Sequence, residues 1–268
     1  MTRVDLPQSG LRKRRRRRRV LLGLLFVFLL FVICGTLVWL SKAPFLRITA
    51  VQVVDAHTVA SSTILQYAQK EIAGAYAGLF ARNNIFLYPR RAIVQVLLKQ
   101  YPTLRTVDVH AQDFHTVIIK VVEREPVALW CDTSCFYMDE QGLVYAPAPT
   151  FSAPVYTTYQ GPATTTPQSG VRQFITPQQF QSLTALVAAF AQKLPDDPVG
   201  LVAVDQNNDT QVYFKKNFLL IFNLKDDGGD VFERFSLALG SEVFKGKMPA
   251  DFEYLDLRFG DKLYYKLK

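Results

Sequence analysis

The first forty residues separate into a basic run and an apolar run. Eight consecutive Lys or Arg residues, Arg12 to Arg19, are followed by twenty-one uncharged residues, Val20 to Leu40. At about 1.5 Å per helical residue, the apolar run reaches roughly 30 Å, the thickness of the hydrocarbon layer of a bilayer. The pattern therefore predicts a basic tail at 1–19 and a lipid-contacting transmembrane helix at 20–40.

A cleaved signal peptide is the alternative explanation of this segment. Its apolar region would typically have about 7–15 residues, followed by small residues at a cleavage site. Here the run is longer and continues into 39–44, which favours an uncleaved anchor. Because basic residues stay on the cytoplasmic side, the tail is expected inside. Everything from Ser41 onward is then expected in the periplasm or outside the cell.

Between residues 45 and 125, hydrophobic spacing predicts a strand, two helices and two further strands. The first helix has a predicted capping box at Thr63 and Gln66. Its apolar positions recur every four residues. They are Ile64, Ala68, Ile72 and Tyr76. Alternating patterns at 106–111 and 117–121 predict two half-buried strands, and hence a short sheet with both helices on one face.

The second region, 126–268, is predicted to be β-rich with two helices. Its most distinct helix has Thr176 as N-cap, Pro177 in the first turn and Gln179 completing a capping box. The other is expected to be capped by Asp230 and Glu233. Between these strand and helix patterns, the stretch 146–170 contains five of the fourteen prolines, and it is predicted to be a solvated loop or insertion.

Charge argues against nucleic-acid binding. The chain has a net charge of +8, but nine of its 31 basic residues and only one of its 23 acidic residues precede Val20. The region from Ser41 onward therefore has 22 residues of each sign and no electrostatic footprint for nucleic acid. The tail itself could contact anionic lipid or nucleic acid, and beside a membrane span the lipid interpretation is the simpler one.

The three cysteines suggest one possible cross-link. Cys34 lies within the predicted span, whereas Cys131 and Cys135 bracket three residues in a location compatible with oxidation. A disulfide across a tight loop is possible, with free thiols as the alternative. A zinc site is not expected, because these two thiols lack a plausible second pair of ligands.

Motifs for catalysis are weak. The three histidines, His57, His110 and His115, have no accompanying nucleophile motif such as GxSxG. Asp205, Asn207 and the following Asp209 match the start of a calcium loop, but Thr210 replaces the glycine and Lys216 replaces the closing glutamate. The sequence therefore predicts a non-enzymatic protein without a cofactor or a metal.

The order of several motifs resembles the bacterial cell-division family FtsQ/DivIB. A basic tail and a single span precede a series of short matching segments that covers nearly the whole chain. These segments are 51–54 (VQVV), 84–86 (NIF), 101–104 (YPTL), 121–130 (VVEREPVALW), 138–142 (MDEQG) and 254–259 (YLDLRF). The chain departs from the family in its Pro/Thr-rich stretch and in stopping directly after its last strand.

The resemblance implies a fold and a function. It implies a membrane-proximal POTRA domain at 45–125, a β-rich domain at 126–268, and a scaffold of the division septum that recruits FtsB/FtsL-like single-span proteins for septal peptidoglycan synthesis. A POTRA scaffold for export or envelope assembly is one alternative. A membrane-anchored hydrolase is another, and a cleft with convergent ionisable groups would favour it.

The last predicted strand, 263–267, is the candidate partner site. Its apolar and polar residues alternate, so one face can pack while the other stays wet. With no later element to cover its edge, an extended partner segment could add a strand there. The resemblance implies the same site, at Phe259, Asp261, Tyr264, Tyr265 and Lys266. Lysines on an edge strand are, alternatively, a common defence against unwanted pairing.

Overall fold

A computed structural model describes residues 9–165 and 171–268. The chain is α+β, as the sequence predicts, with five α-helices and a large mixed sheet in the described part. It divides into two compact units, Met1–Leu97 with Val107–Val121 and Leu98–Thr106 with Val122–Lys268. The start of the predicted tail (1–8) and residues 166–170 of the Pro/Thr-rich stretch lie outside the described residues.

Helix α1 (Ser9–Ser41) contains the whole predicted span. Within Arg14–Ser41 its most apolar window has a mean hydropathy of 3.0, and none of that window is buried in the protein. A helix that is apolar on all sides is typical of a membrane span rather than of the surface of a soluble domain. One N-terminal helix is thus long and apolar enough to cross a membrane, consistent with a single-pass membrane protein.

Residues 50–123 form the predicted series of strand, helix, helix, strand and strand, with a small extra hairpin. The elements are β1 (Ala50–Val54), α2 (Ser61–Ile72), β2 (Ala75–Tyr76), β3 (Phe80–Ala81), α3 (Arg90–Gln100), β4 (Leu104–Ala111) and β5 (Thr116–Glu123). The three long strands lie in the order β1-β5-β4, with β1 parallel to β5. The apolar faces of these helices and strands supply fully buried side chains, namely Ile64, Ala68, Ile93, Leu97, Val109, Val117 and Ile119.

Two details of the α2 prediction are wrong. The N-cap is Ala60, which makes no side-chain capping bond, so Thr63 lies inside the first turn and is not the cap. The helix ends at Ile72, and Gly74 follows with a φ of 89°, a conformation that glycine adopts without steric cost. Tyr76 consequently lies in β2 and is exposed instead of extending the buried stripe.

The second unit is built on an eleven-stranded sheet. Its first six strands are β6 (Ala128–Cys131), β7 (Cys135–Met138), β8 (Leu143–Pro147), β9 (Thr158–Gln160), β10 (Thr164–Thr165) and β11 (Arg172–Gln173). The elements that follow are α4 (Pro177–Lys193), β12 (Val199–Val204), β13 (Asp209–Phe214), β14 (Leu219–Asn223), α5 (Gly228–Leu239), β15 (Phe252–Phe259) and β16 (Lys262–Leu267). The strand order is β10-β11-β8-β7-β6-β9-β12-β13-β14-β15-β16. Single-turn 3-10 helices occupy Pro44–Leu46, Glu242–Phe244 and Pro249–Asp251.

The two predicted helices of this unit supply much of its core. The capping box of Thr176 and Gln179 is confirmed: both of its reciprocal bonds are present. On α4, Phe190 is fully buried, and its ring centroid lies 5.1 Å from that of Phe235 on α5. The cap of α5 is Asp227, whose side chain accepts from two backbone N–H groups, so the predicted cap at Asp230 is wrong.

The Pro/Thr-rich stretch contributes two strands that its sequence does not predict, β9 and the shorter β10. Strand β9 lies between β6 and β12 and is parallel to both. Its central residue, Tyr159, is 2% exposed and contacts the rings of Phe174 and Phe180. The stretch is therefore not only a solvated loop, because three of its residues join the two halves of the sheet.

Candidate partner-binding edge

Strand β16 lies at one edge of the eleven-stranded sheet. Among the described strands it pairs with β15 alone, in antiparallel register, with Leu255 opposite Tyr265 and Asp256 opposite Tyr264. In such a strand about half of the backbone N–H and C=O groups point away from the neighbour. The outer side of β16 therefore presents backbone groups that an added strand could pair.

Both faces of this edge carry partly exposed aromatic residues. Tyr264 and Tyr265 are consecutive, so they point to opposite faces, and they are 50% and 43% exposed. The Tyr264 ring lies edge-on to Phe259, with centroids 4.9 Å apart, and Phe259 is itself 53% exposed. The ring of Tyr265 contacts that of the buried Phe252, with centroids 5.8 Å apart. The predicted division into a packed face and a wet face is thus only partial.

The two remaining predicted residues are polar and exposed. Asp261 follows Gly260 in the two-residue turn between β15 and β16, where Gly260 has a φ of 62°. Lys266 Nζ lies 2.6 Å from Glu253 Oε2, and this hydrogen bond raises the pKa of the lysine. Both partners are more than half exposed, so the pair contributes little to stability. The five predicted residues all lie on the β15–β16 hairpin.

A network of charged and amide side chains, which the sequence does not predict, fixes this hairpin. Arg258 donates from Nε to Asp256 Oδ1 at 2.9 Å and from Nη2 to Asp256 Oδ2 at 2.6 Å. Its Nη1 donates to Asp209 Oδ2 at 2.5 Å. Asn223 Nδ2 donates to the other oxygen of Asp209 at 2.8 Å. These bonds lower the pKa of Asp209, and the bond from Asn223 has a larger effect than the bond from Arg258.

The network explains the late Asp-Leu-Arg motif in physical terms. Asp256 is only 5% exposed, and a buried carboxylate needs a charged hydrogen-bonding partner. The planar guanidinium of Arg258 provides a two-pronged bond that fits it. The motif therefore holds β15 in place, and the exposed aromatic residues beside it are left available for contact.

The other acidic motif of the resemblance also has a structural role. Asp139 is 4% exposed, and its Oδ1 accepts from the backbone N–H of Gln141 and Leu143 at 2.9 and 3.0 Å. Arg124 Nη1 donates to its Oδ2 at 2.5 Å, and Arg124 Nε donates to the carbonyl of Pro102. These bonds organise the turn before β8.

The predicted cysteine pair lies at the tip of another hairpin. Cys131 and Cys135 are directly opposite each other in the β6–β7 pair, with Cα atoms 4.2 Å apart, and a disulfide joins them. The three residues 132–134 form the turn between β6 and β7. Beside them, the Arg172 guanidinium lies 4.3 Å from the Trp130 ring and 4.5 Å from the Phe136 ring.

The remaining candidate residues for chemistry are dispersed. His110 Nδ1 lies 3.0 Å from Asp108 Oδ2, which lowers the pKa of this exposed aspartate, and Arg90 adds to the effect. At the β12–β13 hairpin, Asp205 Oδ1 accepts from two backbone N–H groups of its own turn. Across residues 9–165 and 171–268, no three His, Cys, Asp or Glu side chains converge as a metal site would require.

A groove of about 810 Å³ lies beside α4 in the second unit. Small and apolar residues dominate its walls, and among the described residues that line it, Glu140 is the only carboxylate. General acid–base catalysis on a bound substrate usually needs more than one positioned ionisable group.

No protein-family model matches the chain, and no curated protein matches it.

Proposed function

We propose that the chain is a non-enzymatic, single-span scaffold of the bacterial cell-division complex, of the FtsQ/DivIB kind. In this proposal α1 is retained as an anchor in the cytoplasmic membrane, with the basic tail inside the cell. The first unit acts as a POTRA domain. The second unit receives FtsB/FtsL-like single-span proteins at the septum, where peptidoglycan is made.

The observation that carries the proposal is the state of strand β16. Among the described strands it pairs with β15 alone, so its other side offers backbone groups to an added strand. Half-exposed tyrosines lie on both of its faces, and the Arg258 network bonds the adjoining strand to Asp209 on β13. An incoming extended segment could pair with β16 and cover Tyr264 and Tyr265 with alternate side chains. Main-chain bonds would supply affinity and the side chains would supply selectivity.

The order of elements between residues 50 and 123 gives further support. Residues 50–123 form a strand, two helices and two strands, with β1 beside β5, and this order supports the proposal of a POTRA-type domain. The segments that resemble FtsQ/DivIB also fall on residues with definable structural roles, such as Asp139 and Asp256. The export scaffold shares the first unit, and the exposed β16 edge favours the division role over it.

Localisation in dividing cells tests the function. A fluorescent fusion to the N-terminus is expected to concentrate at midcell before constriction. A fusion carrying only residues 1–44 is the matched control, because it keeps the anchor and lacks both units. Even distribution of the full chain around the membrane in normally dividing cells would refute the division role and favour the export scaffold.

Topology is tested separately. Eight adjacent charges next to the span make transfer of the tail across the membrane unfavourable. Protease added to cells with an opened envelope should therefore digest the region beyond Ser41 and spare a tag fused before Arg12. Protection of the C-terminal region in such cells would overturn the orientation.

A further inference from the structure

Three exposed phenylalanines lie at the end of the first unit from which α1 emerges. They are Phe45, Phe86 and Phe114, at 56%, 71% and 61% exposed, and we call them the juxtamembrane aromatic patch. Phe45 belongs to the 3-10 turn that directly follows α1. The rings of Phe86 and Phe114 touch edge-on, with centroids 6.4 Å apart. Such a cluster is unusual on a surface that faces only water.

A buried asparagine fixes Phe86 close to the end of α1. Asn84 is 2% exposed, and its Nδ2 donates to the carbonyl of Ser41 at 3.0 Å. Its Oδ1 accepts from the backbone N–H of Phe86 at 2.9 Å. In addition, Ile85 N donates to Leu46 O at 2.8 Å. The turn that carries Phe86 is therefore bonded to the last residue of α1 and to the segment that follows it.

Phe114 is held at the same end by a second set of bonds. Asp113 Oδ1 accepts from the backbone N–H groups of His115 and Thr116, which fixes the turn between β4 and β5 and leaves Phe114 at its tip. The carbonyl of His115 accepts from Thr49 N at 2.8 Å, so this turn lies beside the start of β1. Both phenylalanines are thus on rigid turns.

The position of Ser41 determines what the patch meets when α1 spans a bilayer. About 20 helical residues cross the hydrocarbon layer, so a span of 20–40 places Ser41 at its boundary. The headgroup zone beyond this boundary is roughly 5–8 Å thick. Phe45 follows Ser41 by four residues. Phe86 follows Asn84, which is bonded to Ser41, by two residues. Both phenylalanines therefore fall within or next to the headgroup zone.

We propose that the juxtamembrane aromatic patch inserts into the outer-leaflet interface of the bilayer and orients the first unit on the membrane. Phenylalanine is favoured at the apolar side of such an interface. The exposed Lys42 and Arg47 lie in the same segment, where long basic side chains can reach lipid phosphates. This proposal rests on the anchor role of α1 in the proposed function and is independent of the division role.

Spin labelling of the full chain in vesicles of phosphatidylcholine and phosphatidylglycerol tests it. Cys34→Ser removes the free thiol, and Leu87→Cys places a nitroxide beside Phe86 while leaving the patch intact. Val54→Cys is the matched control, an exposed apolar position at the opposite end of β1. The label at Leu87 is expected to be several-fold less accessible to a water-soluble nickel chelate, and more accessible to oxygen, than the label at Val54.

Two further variants make the test specific for the patch. Phe86→Ser with Phe114→Ser should bring the nickel accessibility at Leu87 up to the control value, with unchanged circular dichroism. Equal accessibility of the two labels in the parent chain overturns the proposal, and so does protection at Leu87 that survives both serines. Failure of the chain to float with the vesicles removes the anchor itself, whereas failure of the label comparison leaves the division role intact.

Discussion

Arg258 on β15 reaches across strand β14 to Asp209 on β13, with Nη1 and Oδ2 2.5 Å apart. The two residues are 49 positions apart in the sequence. Asn223 at the end of β14 bonds to the same carboxylate. Three neighbouring strands are therefore tied together next to the proposed partner-binding edge.

Replacement of Arg258 tests this network. Arg258→Ala leaves the buried Asp256 without its charged partner, and we expect the free energy of unfolding to fall by roughly 1.5–3 kcal/mol. Arg258→Lys should recover only part of this loss, because an ammonium cannot form the two-pronged bond. Chemical unfolding of the detergent-solubilised chain measures both values. Arg105→Ala is the control, since its exposed pair with Glu140 should contribute less than about 1 kcal/mol.

The lowered pKa of Asp209 predicts acid sensitivity. Its folded pKa lies below the unfolded value of about 3.9, so its stabilisation is present above that pH and is lost as the pH falls through the folded pKa. Asp209→Asn should therefore be less stable than the parent chain at neutral pH, and the gap between them should narrow below about pH 4. Unfolding curves measure the difference in free energy of unfolding between the two chains at neutral pH and below about pH 4. An equal difference at the two pH values would contradict the role given to Asp209.

The edge strand gives the most functional prediction. Tyr264→Ala should weaken binding of an FtsB/FtsL-like partner by about 2 kcal/mol, or roughly 30-fold, as truncation of a central interface tyrosine does. Tyr213→Ala is a matched control: Tyr213 is a partly exposed tyrosine of the same sheet, but it lies on the interior strand β13. Purified partner segments and a titration measure the affinity.

Lys266 distinguishes contact with the partner from local pairing. Lys266→Glu should weaken binding and also breaks the bond to Glu253. The double exchange Lys266→Glu with Glu253→Lys restores an ion pair in reversed order while keeping the changed edge. Binding that stays weak in the double variant supports direct contact. Normal recruitment by Tyr264→Ala and Lys266→Glu chains that both fold would mean that β16 is only a protected edge.

Thiol chemistry tests the Cys131–Cys135 bond. In a Cys34→Ser chain, a maleimide should label no cysteine before reduction and two after it. The disulfide closes only a short loop. Its removal by Cys131→Ser with Cys135→Ser should therefore lower the free energy of unfolding by only about 2 kcal/mol. Equal labelling before and after reduction would rule out the disulfide.

Local signals predict much of the fold, and they fail where distant residues decide. The capping box at Thr176 is confirmed because its bonds lie within one helical turn. At α2, three adjacent hydroxyl residues, Ser61–Thr63, offer competing starts, and the chain begins its helix one residue after Ala60. Strand β9 has only three residues among prolines, so its position depends on pairing with β6 and β12, which no local pattern encodes.

The candidate site divides in the same way. Tyr264, Tyr265 and Lys266 can be named from the alternation of the last strand and from a family resemblance. The Asp209–Arg258 bond cannot, because Asp209 belongs by sequence to a polar turn that resembles a partial calcium loop. Its partner is set by the strand order of the sheet.

The short strand β9 also has a mechanical consequence. Between β6 and β16, the seam with the fewest register pairs is the one between β6 and β9, where only Leu129–Thr158 and Trp130–Tyr159 are matched. A pulling force applied at β16 must cross this seam to reach β6. We expect the sheet to separate first between β6 and β9 under tension. Force spectroscopy, with the pulling points attached to β16 and β6, measures this separation as the rupture step of lowest force. That step should disappear when Thr158 and Gln160 are both changed to Pro. The elastic limit of the second unit is then set by three residues of the stretch that looks least structured in the sequence.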